Sequence, residues 1–256
     1  MNILEEIIKA KRNEVEYLKS IPLSFPSSPL PPRDFKSTIQ SKDIALIGEL
    51  KKCSPSAGVI REDFNAIELA KEIELGGASA LSVLTDYKFF CGSLALLPVI
   101  KMETNLPILM KDFLIDEFQI ELAEKLGADA ILLIARCLTR DEINRFLQFA
   151  TEKGLQCLVE IHDKADLEKI KNLPIEIVGI NSRDLSNFKT NLENVIQLKS
   201  ELPDDVLIVA ESGIKDRRDI ETLMNSGIRA FLVGEALMRA ENVREKVREL
   251  LGDAEG

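Results

Sequence analysis

Residues 116–135, DEFQIELAEKLGADAILLIA, show the repeating unit of this chain. The first part has the spacing of a helix that starts at Asp116, a good N-terminal cap, and ends at Gly127, a residue that commonly terminates helices. After two further residues comes the apolar run Ala130–Ala135. It is continuously apolar rather than alternating, which is typical of a strand buried on both faces of a parallel sheet.

The same unit recurs along the chain. Apolar runs predict eight strands, at Ile44–Leu50, Ala80–Thr85, Pro107–Lys111, Ala130–Ala135, Gln156–Ile161, Ile177–Asn181, Leu207–Ser212 and Ala230–Gly234. Helical patterns lie between them, at Asn65–Leu75, Asp116–Leu126, Thr139–Lys153, Asp163–Lys171 and Asp216–Ser226. Evenly spaced βα units predict an α/β fold of the (β/α)8, or TIM-barrel, class. A doubly wound open sheet is the alternative.

An extension precedes the first strand. Leu4–Leu18 has the pattern of an amphipathic helix rich in lysine and glutamate, and the proline-rich residues 21–32 suggest an extended connector. We expect the extra helix to pack over the mouth of the barrel or to cap it. Residues 1–256 are therefore predicted to form one barrel domain, with 1–42 as its N-terminal extension.

Composition excludes several classes of protein. The net charge is -10, which disfavours a broad nucleic-acid surface, so an anionic ligand has to be held by local cations or backbone N–H groups. No apolar stretch reaches the roughly 18 residues of a membrane span, and the N-terminus lacks a secretory pattern. We expect a cytoplasmic protein, a monomer rather than an oligomer, with no nucleic-acid or membrane partner.

The cysteines and the histidine do not suggest a metal centre. Cys53, Cys91, Cys137 and Cys157 are far apart, no pair has CxxC spacing, and His162 is the only histidine. A zinc site or a disulfide framework is therefore not expected, and the cysteines are interpreted as incidental thiols. No cofactor is predicted. His162 follows the fifth strand and is expected to orient a loop or to lie exposed.

Charged side chains recur where the predicted strands end. In a barrel of parallel strands these ends face one mouth, the usual place of an active site. The set comprises Glu49, Lys51, Lys111, Glu160, Asn181, Arg183, Glu211 and Ser212. A single strand-end charge is more often part of a structural ion pair, but so many in one barrel favour a site with lysine as acid and glutamate as base.

Glycines after the last two strands suggest a phosphate site. Gly213 follows the seventh strand, and Gly234 with Glu235 follows the eighth. Glycine there lets backbone N–H groups approach an anion, and Ser56, in the loop after the first strand, adds a hydroxyl. Phe90 and Phe113, beyond strands two and three, could hold an aromatic ring. Ordinary turns and plain packing are the alternative interpretations.

Several motifs together resemble the indole-3-glycerol phosphate synthase family. They are ELKKCSPS (49–56), LMKDF (109–113), LVEIH (158–162), GINSRDL (179–185), VAESGI (209–214) and LVGEALM (232–238), and the likeness runs through essentially the whole chain. The resemblance implies a carboxy-lyase of tryptophan biosynthesis that needs no cofactor. Its reaction closes 1-(2-carboxyphenylamino)-1-deoxyribulose 5-phosphate to indole-3-glycerol phosphate, with loss of carbon dioxide and water.

The resemblance also implies roles. Lys111 is the general acid at the ketone oxygen, Lys51 pairs with the ring carboxylate, and Glu160 is the base, although the acid roles of the two lysines are not separated. The remaining members orient or bind. Glu49, Asn181, Glu211 and Ser212 belong to the catalytic group. The phosphate is expected at Ser56, Gly213 and Gly234 with Arg183 nearby, the aromatic ring at Phe90, Phe113, Leu132 and Leu185, and Glu235 is counted among the substrate-binding residues. Cys53 departs from the family, where alanine or a basic residue is expected.

Three other functions stay open on the residues alone. A class I aldolase could use Lys51 or Lys111 as a Schiff base. A non-catalytic sugar-phosphate-binding subunit would need the cations but not the base. A phosphoribosylanthranilate isomerase would use a cysteine and an aspartate where this chain has Glu49 and Lys51.

Overall fold

The computed structural model of the chain describes residues 3–21, 28, 30–183 and 190–253. Eight parallel strands close into a barrel, because the first strand pairs with both the second and the last. The strands are β1 (Ala45–Leu50), β2 (Ala80–Leu84), β3 (Ile108–Lys111), β4 (Ala130–Ile134), β5 (Gln156–Ile161), β6 (Ile177–Asn181), β7 (Leu207–Glu211) and β8 (Ala230–Val233). The predicted barrel is confirmed, and the open-sheet alternative is wrong.

Helices surround the barrel. Their ranges are α1 (Ile3–Ser20), α2 (Phe35–Gln40), α3 (Ala66–Leu75), α4 (Tyr87–Phe90), α5 (Leu96–Glu103), α6 (Glu117–Leu126), α7 (Arg140–Glu152), α8 (Lys164–Ile170), α9 (Leu192–Lys199), α10 (Arg217–Met224), α11 (Glu235–Arg239) and α12 (Val243–Leu251). In the repeating unit, Asp116 caps α6 by accepting from Phe118 N, and Gly127 ends it at φ 86°. None of the helices in the described ranges is long and apolar enough to cross a membrane.

Two apolar layers hold the barrel together. Residues that point inward from alternate strands, such as Leu109, Leu158 and Val209, fill the barrel interior. Residues of the opposite face pack against the helices in a larger outer layer. Both faces of every strand are thus buried, which explains why the strands read as continuous apolar runs.

The closed end of the barrel is filled by α2, a helix that the sequence did not predict. Phe35 and Ile39 lie one helical turn apart, and both are completely buried in the interior layer. Asp34 caps the helix by accepting from Ser37 N. The helix at 35–40 lies beyond the predicted connector at 21–32, whose prolines at 22, 26 and 29 lie outside the described residues.

At the open end, α1 lies over the mouth, one of the two positions expected for it. Ile3, Leu4 and Ile7 line the cavity below. The helix is anchored by Lys11, which is 1% exposed. Its Nζ lies 2.7 Å from Asp112 Oδ1 and 3.0 Å from Asp86 Oδ2, and the side chains of both aspartates are only 2% exposed.

The structure corrects the expectation for two of the cysteines. Cys53, in the loop after β1, and Cys91, after α4, form a disulfide with a Cα–Cα distance of 5.7 Å. The spacing of 38 residues gave no sign of this pairing, because the two loops meet only at the rim of the closed barrel. Cys137 and Cys157 are free and half-buried.

Candidate active site

The carboxyl ends of the strands open into a cavity of about 770 Å³. Its walls contain every residue that the sequence placed in the site except Leu185, which lies outside the described residues. They are Glu49, Lys51, Ser56, Phe90, Lys111, Phe113, Leu132, Glu160, Asn181, Arg183, Glu211, Ser212, Gly213, Gly234 and Glu235. Residues from all eight strand ends and the following loops line this pocket, since Leu84, the last residue of β2, also lies in its wall.

Lys111 is the centre of the charged group. It is the last residue of β3, and its Nζ lies 3.2 Å from Glu160 Oε2 and also contacts Glu211 Oε2. Glu160 is the penultimate residue of β5, and Glu211 is the last residue of β7. Both carboxylates are buried, and so is most of the lysine. One ammonium therefore joins two carboxylates from separate strands at the floor of the cavity.

The proton distribution in this group follows from burial and charge. Burial acts to lower the pKa of Lys111, but Glu211, Glu160 and Glu49 outweigh it and raise the pKa. Burial raises the pKa of Glu211 to about 8 against the opposing charge of Lys111, and Glu160 adds to the rise. For Glu160, burial acts to raise the pKa, but the charges of Lys111 and His162 outweigh burial and lower the pKa. The group thus combines a lysine that is held as an ammonium with one carboxyl group whose pKa is lowered and one whose pKa is raised, a set suited to acid–base catalysis.

A second ion pair lies across the pocket. Lys51, just past β1, places its Nζ 2.5 Å from Glu49 Oε1. Glu49 is 4% exposed, whereas Lys51 is partly exposed to the cavity. A ligand can therefore reach the ammonium of Lys51 while Glu49 holds it from behind.

Two glycines make room for these carboxylates. A Cβ on Gly179, in the middle of β6, would lie 2.0 Å from Glu211 Oε1. A Cβ on Gly234, after β8, would lie 2.4 Å from Glu49 Oε1. Both distances are far below van der Waals contact, so the carboxylates occupy the space that side chains at these positions would fill. The sequence predicted a glycine at 234 because it lets backbone N–H groups approach a phosphate. The structure gives a second reason for glycine at this position, which is the space taken by Glu49.

The rim carries polar groups suited to an anion. Ser212 and Gly213 are both left-handed, with φ of 65° and 76°, and a serine in that conformation is strained. Ser182 Oγ donates to Ser212 O at 3.0 Å and so supports the turn. Arg183 Nη2 lies 3.5 Å from Glu235 Oε2 at the same rim. A turn of this kind is one way in which successive backbone N–H groups come to face an anion.

The opposite wall is apolar. The rings of Phe90 and Phe113 are 6.0 Å apart between centroids, and Leu132 lies beside them in the cavity wall. The sequence reading missed Leu84, Ile134 and Leu232, together with the three apolar residues of α1. Strand alternation could have found Ile134, which shares a face with Leu132. The expected position of α1 over the mouth did not identify which of its residues line the wall.

His162 is not exposed, so the second of its two expected settings is wrong. Its side chain is 3% exposed, and Nε2 lies 3.3 Å from Glu160 Oε1. It follows β5 and is two residues after Glu160, so both side chains project to the same side of the strand. Within the described residues no cluster of three or more histidine, cysteine or carboxylate side chains could hold a metal ion.

The fold and the site define a class. A closed (β/α)8 barrel with lysine–glutamate acid–base groups at its carboxyl end, an apolar wall and an anion-suited rim is a barrel enzyme for a charged, ring-bearing substrate. The chain belongs to the indole-3-glycerol phosphate synthase family: the sequence model of that family matches residues 4–250.

Relatives with that name cover almost all of the chain. Indole-3-glycerol phosphate synthase of Alkaliphilus metalliredigens is 44% identical over 254 residues, which is 97% of either protein. That of Legionella pneumophila is 45% identical over 256 residues, 98% of this chain and 99% of the relative. That of Geobacillus thermodenitrificans is 43% identical over 255 residues, 99% and 98%.

Solved structures with low identity share the fold. 3-Hexulose-6-phosphate synthase superimposes with a TM-score of 0.66 at 16% identity, covering 83% of this chain and all of its own. Thiamine phosphate pyrophosphorylase from Pyrococcus furiosus gives a TM-score of 0.61 at 16% identity, covering 83% and 96%. At this identity the likeness concerns the barrel alone.

Proposed function

We propose that this chain forms indole-3-glycerol phosphate from 1-(2-carboxyphenylamino)-1-deoxyribulose 5-phosphate, with Lys111 as general acid and Glu160 as general base. The observation that carries the proposal is the contact of Lys111 with both Glu160 and Glu211 at the floor of the cavity. Family membership supports the reaction. The placement of the charges supports the roles.

The first step needs an acid and a cation. As the ring carbon that bears the carboxylate attacks the ketone carbon, Lys111 donates a proton to the ketone oxygen, which becomes a hydroxyl. Lys51 pairs with the ring carboxylate until it leaves as carbon dioxide and its electron pair returns to the ring. The raised pKa of Lys111 keeps it protonated at neutral pH. Such acid–base assistance contributes roughly 10²–10⁴-fold per group.

The second step removes water. The hydroxyl leaves as water after one of the two lysines protonates it. Glu160 removes a proton from a carbon of the new ring, and the double bond that forms completes the pyrrole. The lowered pKa of Glu160 keeps it ionised for this task. Glu49 and Asn181 are proposed to orient the lysine and the substrate hydroxyls, and Ser212 to line the same pocket.

The two ends of the substrate fit the two sides of the cavity. We assign the phosphate to the rim at Ser56, Gly213, Gly234 and Glu235, with Arg183 nearby, and the aromatic ring to Phe90, Phe113 and Leu132. The arrangement suits a molecule with a charged end and a flat apolar end. Leu185 is proposed for the ring side from sequence alone.

A Schiff-base aldolase fits the lysines less well. A nucleophilic lysine needs a lowered pKa, so that a useful fraction is neutral. Lys111 shows the opposite shift, because its two carboxylates favour the ammonium. An acid role for Lys111 is therefore preferred to a covalent one.

Turnover by the purified protein tests the proposal. Indole fluorescence should rise as the carboxyphenylamino-deoxyribulose phosphate is consumed, and the chain has no tryptophan to obscure the signal. The expected rate is unchanged by a chelator, and borohydride traps no lysine adduct. A folded protein that binds this substrate without forming product would refute the proposal.

The setting of the enzyme is part of the proposal. We propose a cytoplasmic monomer whose partner is the small anionic sugar phosphate and which has no nucleic-acid partner. The net charge of -10 argues against a nucleic-acid surface.

A further inference from the structure

The environment of His162 has no place in the acid–base scheme above. Its ring lies between two buried carboxylates: Nε2 is 3.3 Å from Glu160 Oε1, and Nδ1 is 3.6 Å from Asp166 Oδ2. Both ring nitrogens are buried, and within the described ranges neither makes a hydrogen bond of ordinary geometry. The two carboxylates are thus the acceptors within reach of this imidazole.

Asp166 is itself held in place. It lies in the first turn of α8, and its Oδ2 accepts from the backbone N of His162 at 3.0 Å. Arg136 Nη2 is 3.4 Å from the same oxygen. The carboxylate behind the imidazole therefore has a fixed position, which in turn restrains the ring.

On the other side, the two oxygens of Glu160 have different partners. Oε2 faces Lys111 at 3.2 Å, and Oε1 faces His162 at 3.3 Å. Without His162, Oε1 would lose the side chain that faces it, and the carboxylate could rotate toward Lys111 with either oxygen.

We propose that His162 is a positioning residue for the base Glu160. Its Nε2 faces Oε1 at 3.3 Å, while Asp166 holds the ring from behind, so that Oε2 is presented to the reacting carbon beside Lys111. The inference rests on the proposed function of Glu160. Misplacement of a reacting group by about 1 Å can cost 10²-fold in rate.

Two His162 variants test the role in catalysis. His162→Leu should lower kcat by about 10- to 100-fold with little change in KM, because the ground-state contacts of the substrate do not involve this ring. His162→Gln, which places an amide donor near the position of Nε2, should recover part of the loss. Lys164→Ala is the matched control on α8, since Lys164 is exposed and pairs with Glu201; its kcat should equal that of the wild type.

A spectrum separates this inference from the proposed function. His162 is the only histidine, so its ring ¹⁵N signals are assigned without ambiguity. Glu160→Gln should shift the Nε2 signal, and Asp166→Asn the Nδ1 signal, whether or not the protein turns over the substrate. Unchanged ring signals in Glu160→Gln, or His162→Leu with wild-type kcat, would overturn the positioning role. If the wild-type protein shows no turnover but the variants still shift the ring signals, the result contradicts the proposed function of the site and supports the contact between His162 and Glu160.

The disulfide carries a second and independent inference. Cys53 and Cys91 join the loop after β1 to the segment after β2. The first loop holds Lys51 and Ser56, and the second holds Phe90, all of which line the cavity. Cys91 is exposed, whereas Cys53 is 8% exposed. A reductant can therefore reach the bond through the sulfur of Cys91.

We propose that this pair is a reversible redox site that controls the order of the two loops. Oxidation joins the two thiols and passes two electrons and two protons to a disulfide oxidant, such as glutathione disulfide, which becomes two thiols. Dithiols reverse the exchange. Disulfides in reducing compartments are usually regulatory or catalytic, and rigid loops cost less to order when substrate binds.

Mass spectrometry and kinetics on the full chain test this site. After incubation with glutathione disulfide, digestion should yield a peptide linked through Cys53 and Cys91, and dithiothreitol should remove it. Reduction should raise KM by roughly 3- to 10-fold in the wild type and have no effect in Cys91→Ser. Cys157→Ala is the matched control and should respond as the wild type does. Failure to form the linked peptide, or a KM indifferent to reduction, would overturn the proposal.

Discussion

The anchor of α1 allows a quantitative prediction. Lys11→Met keeps most of the side-chain volume but leaves the carboxylates of Asp86 and Asp112 buried without their cation. Burial acts to lower the pKa of Lys11, but Asp112 and Asp86 outweigh it and raise the pKa. Because the folded pKa lies above the unfolded one, the stabilisation is complete at neutral pH and is lost only as pH rises through the folded value.

The size of the loss follows from burial. Removing one partner of a buried ion pair costs about 3–5 kcal/mol. For a chain of this length each kcal/mol lowers Tm by about 2–4 °C, so the expected shift is about 6–20 °C. Lys19→Met is the matched control: Lys19 lies on the same helix, 2.6 Å from Asp116, but its side chain is 44% exposed. Surface pairs contribute about 0–1 kcal/mol.

Thermal unfolding followed by circular dichroism at pH 7 measures the difference. Because the first turns of α1 line the cavity, local release of the helix should also raise KM in Lys11→Met. Trypsin should then cleave within α1 faster than in the control. A Tm within about 1 °C of the Lys19→Met value, together with an unchanged KM, would refute the reasoning that the buried cluster holds α1 over the mouth.

Three further predictions concern the floor of the cavity. Lys111→Ala should nearly abolish turnover while the circular dichroism spectrum stays that of the wild type; near-normal activity would exclude Lys111 as the acid. The raised pKa of Glu211, about 8 in the folded protein, means that the folded state keeps a proton that the unfolded state loses, so stability falls as pH rises from about 4.5 to 8. The Tm of the wild type minus that of Glu211→Gln should therefore decrease over this range, and a constant difference would contradict the shift. Gly179→Ala should displace the Glu211 carboxylate, since the new Cβ would lie 2.0 Å from Oε1, and should lower both kcat and Tm; a crystal structure with Glu211 unmoved would show that the strand gives way instead.

The barrel and most of the site were predictable from sequence because both depend on local patterns. Continuous apolar runs identify strands covered on both faces, and parallel strands bring their carboxyl ends together whatever the details of packing. Lys111, Glu160 and Glu211 could thus be placed in one pocket from their positions at strand ends. The glycine that ends α6 could be read in the same way.

What escaped prediction depends on contacts between distant segments. The helix at 35–40 is short, and its two apolar residues gain meaning only inside the closed end of the barrel. The pairing of Cys53 with Cys91 needs two loops that meet at the rim. His162 is buried beside Asp166, which lies four residues later, in α8. Strand alternation alone does not show whether a side chain at the end of a strand is covered in this way.

Gly179 also constrains how this site can change over generations. A Cβ at 179 would lie 2.0 Å from Glu211 Oε1 and 2.5 Å from Leu158 Cδ2, so a side chain at 179 is tolerated only in chains in which both 211 and 158 have already been shortened. The order of mutations then matters: replacing 211 first removes one of the two obstacles to a side chain at 179, whereas replacing 179 first disrupts the site before any new one exists. The pair should therefore vary together in laboratory evolution, and a redesign of this barrel for another reaction should alter 211 before it fills the space beside it.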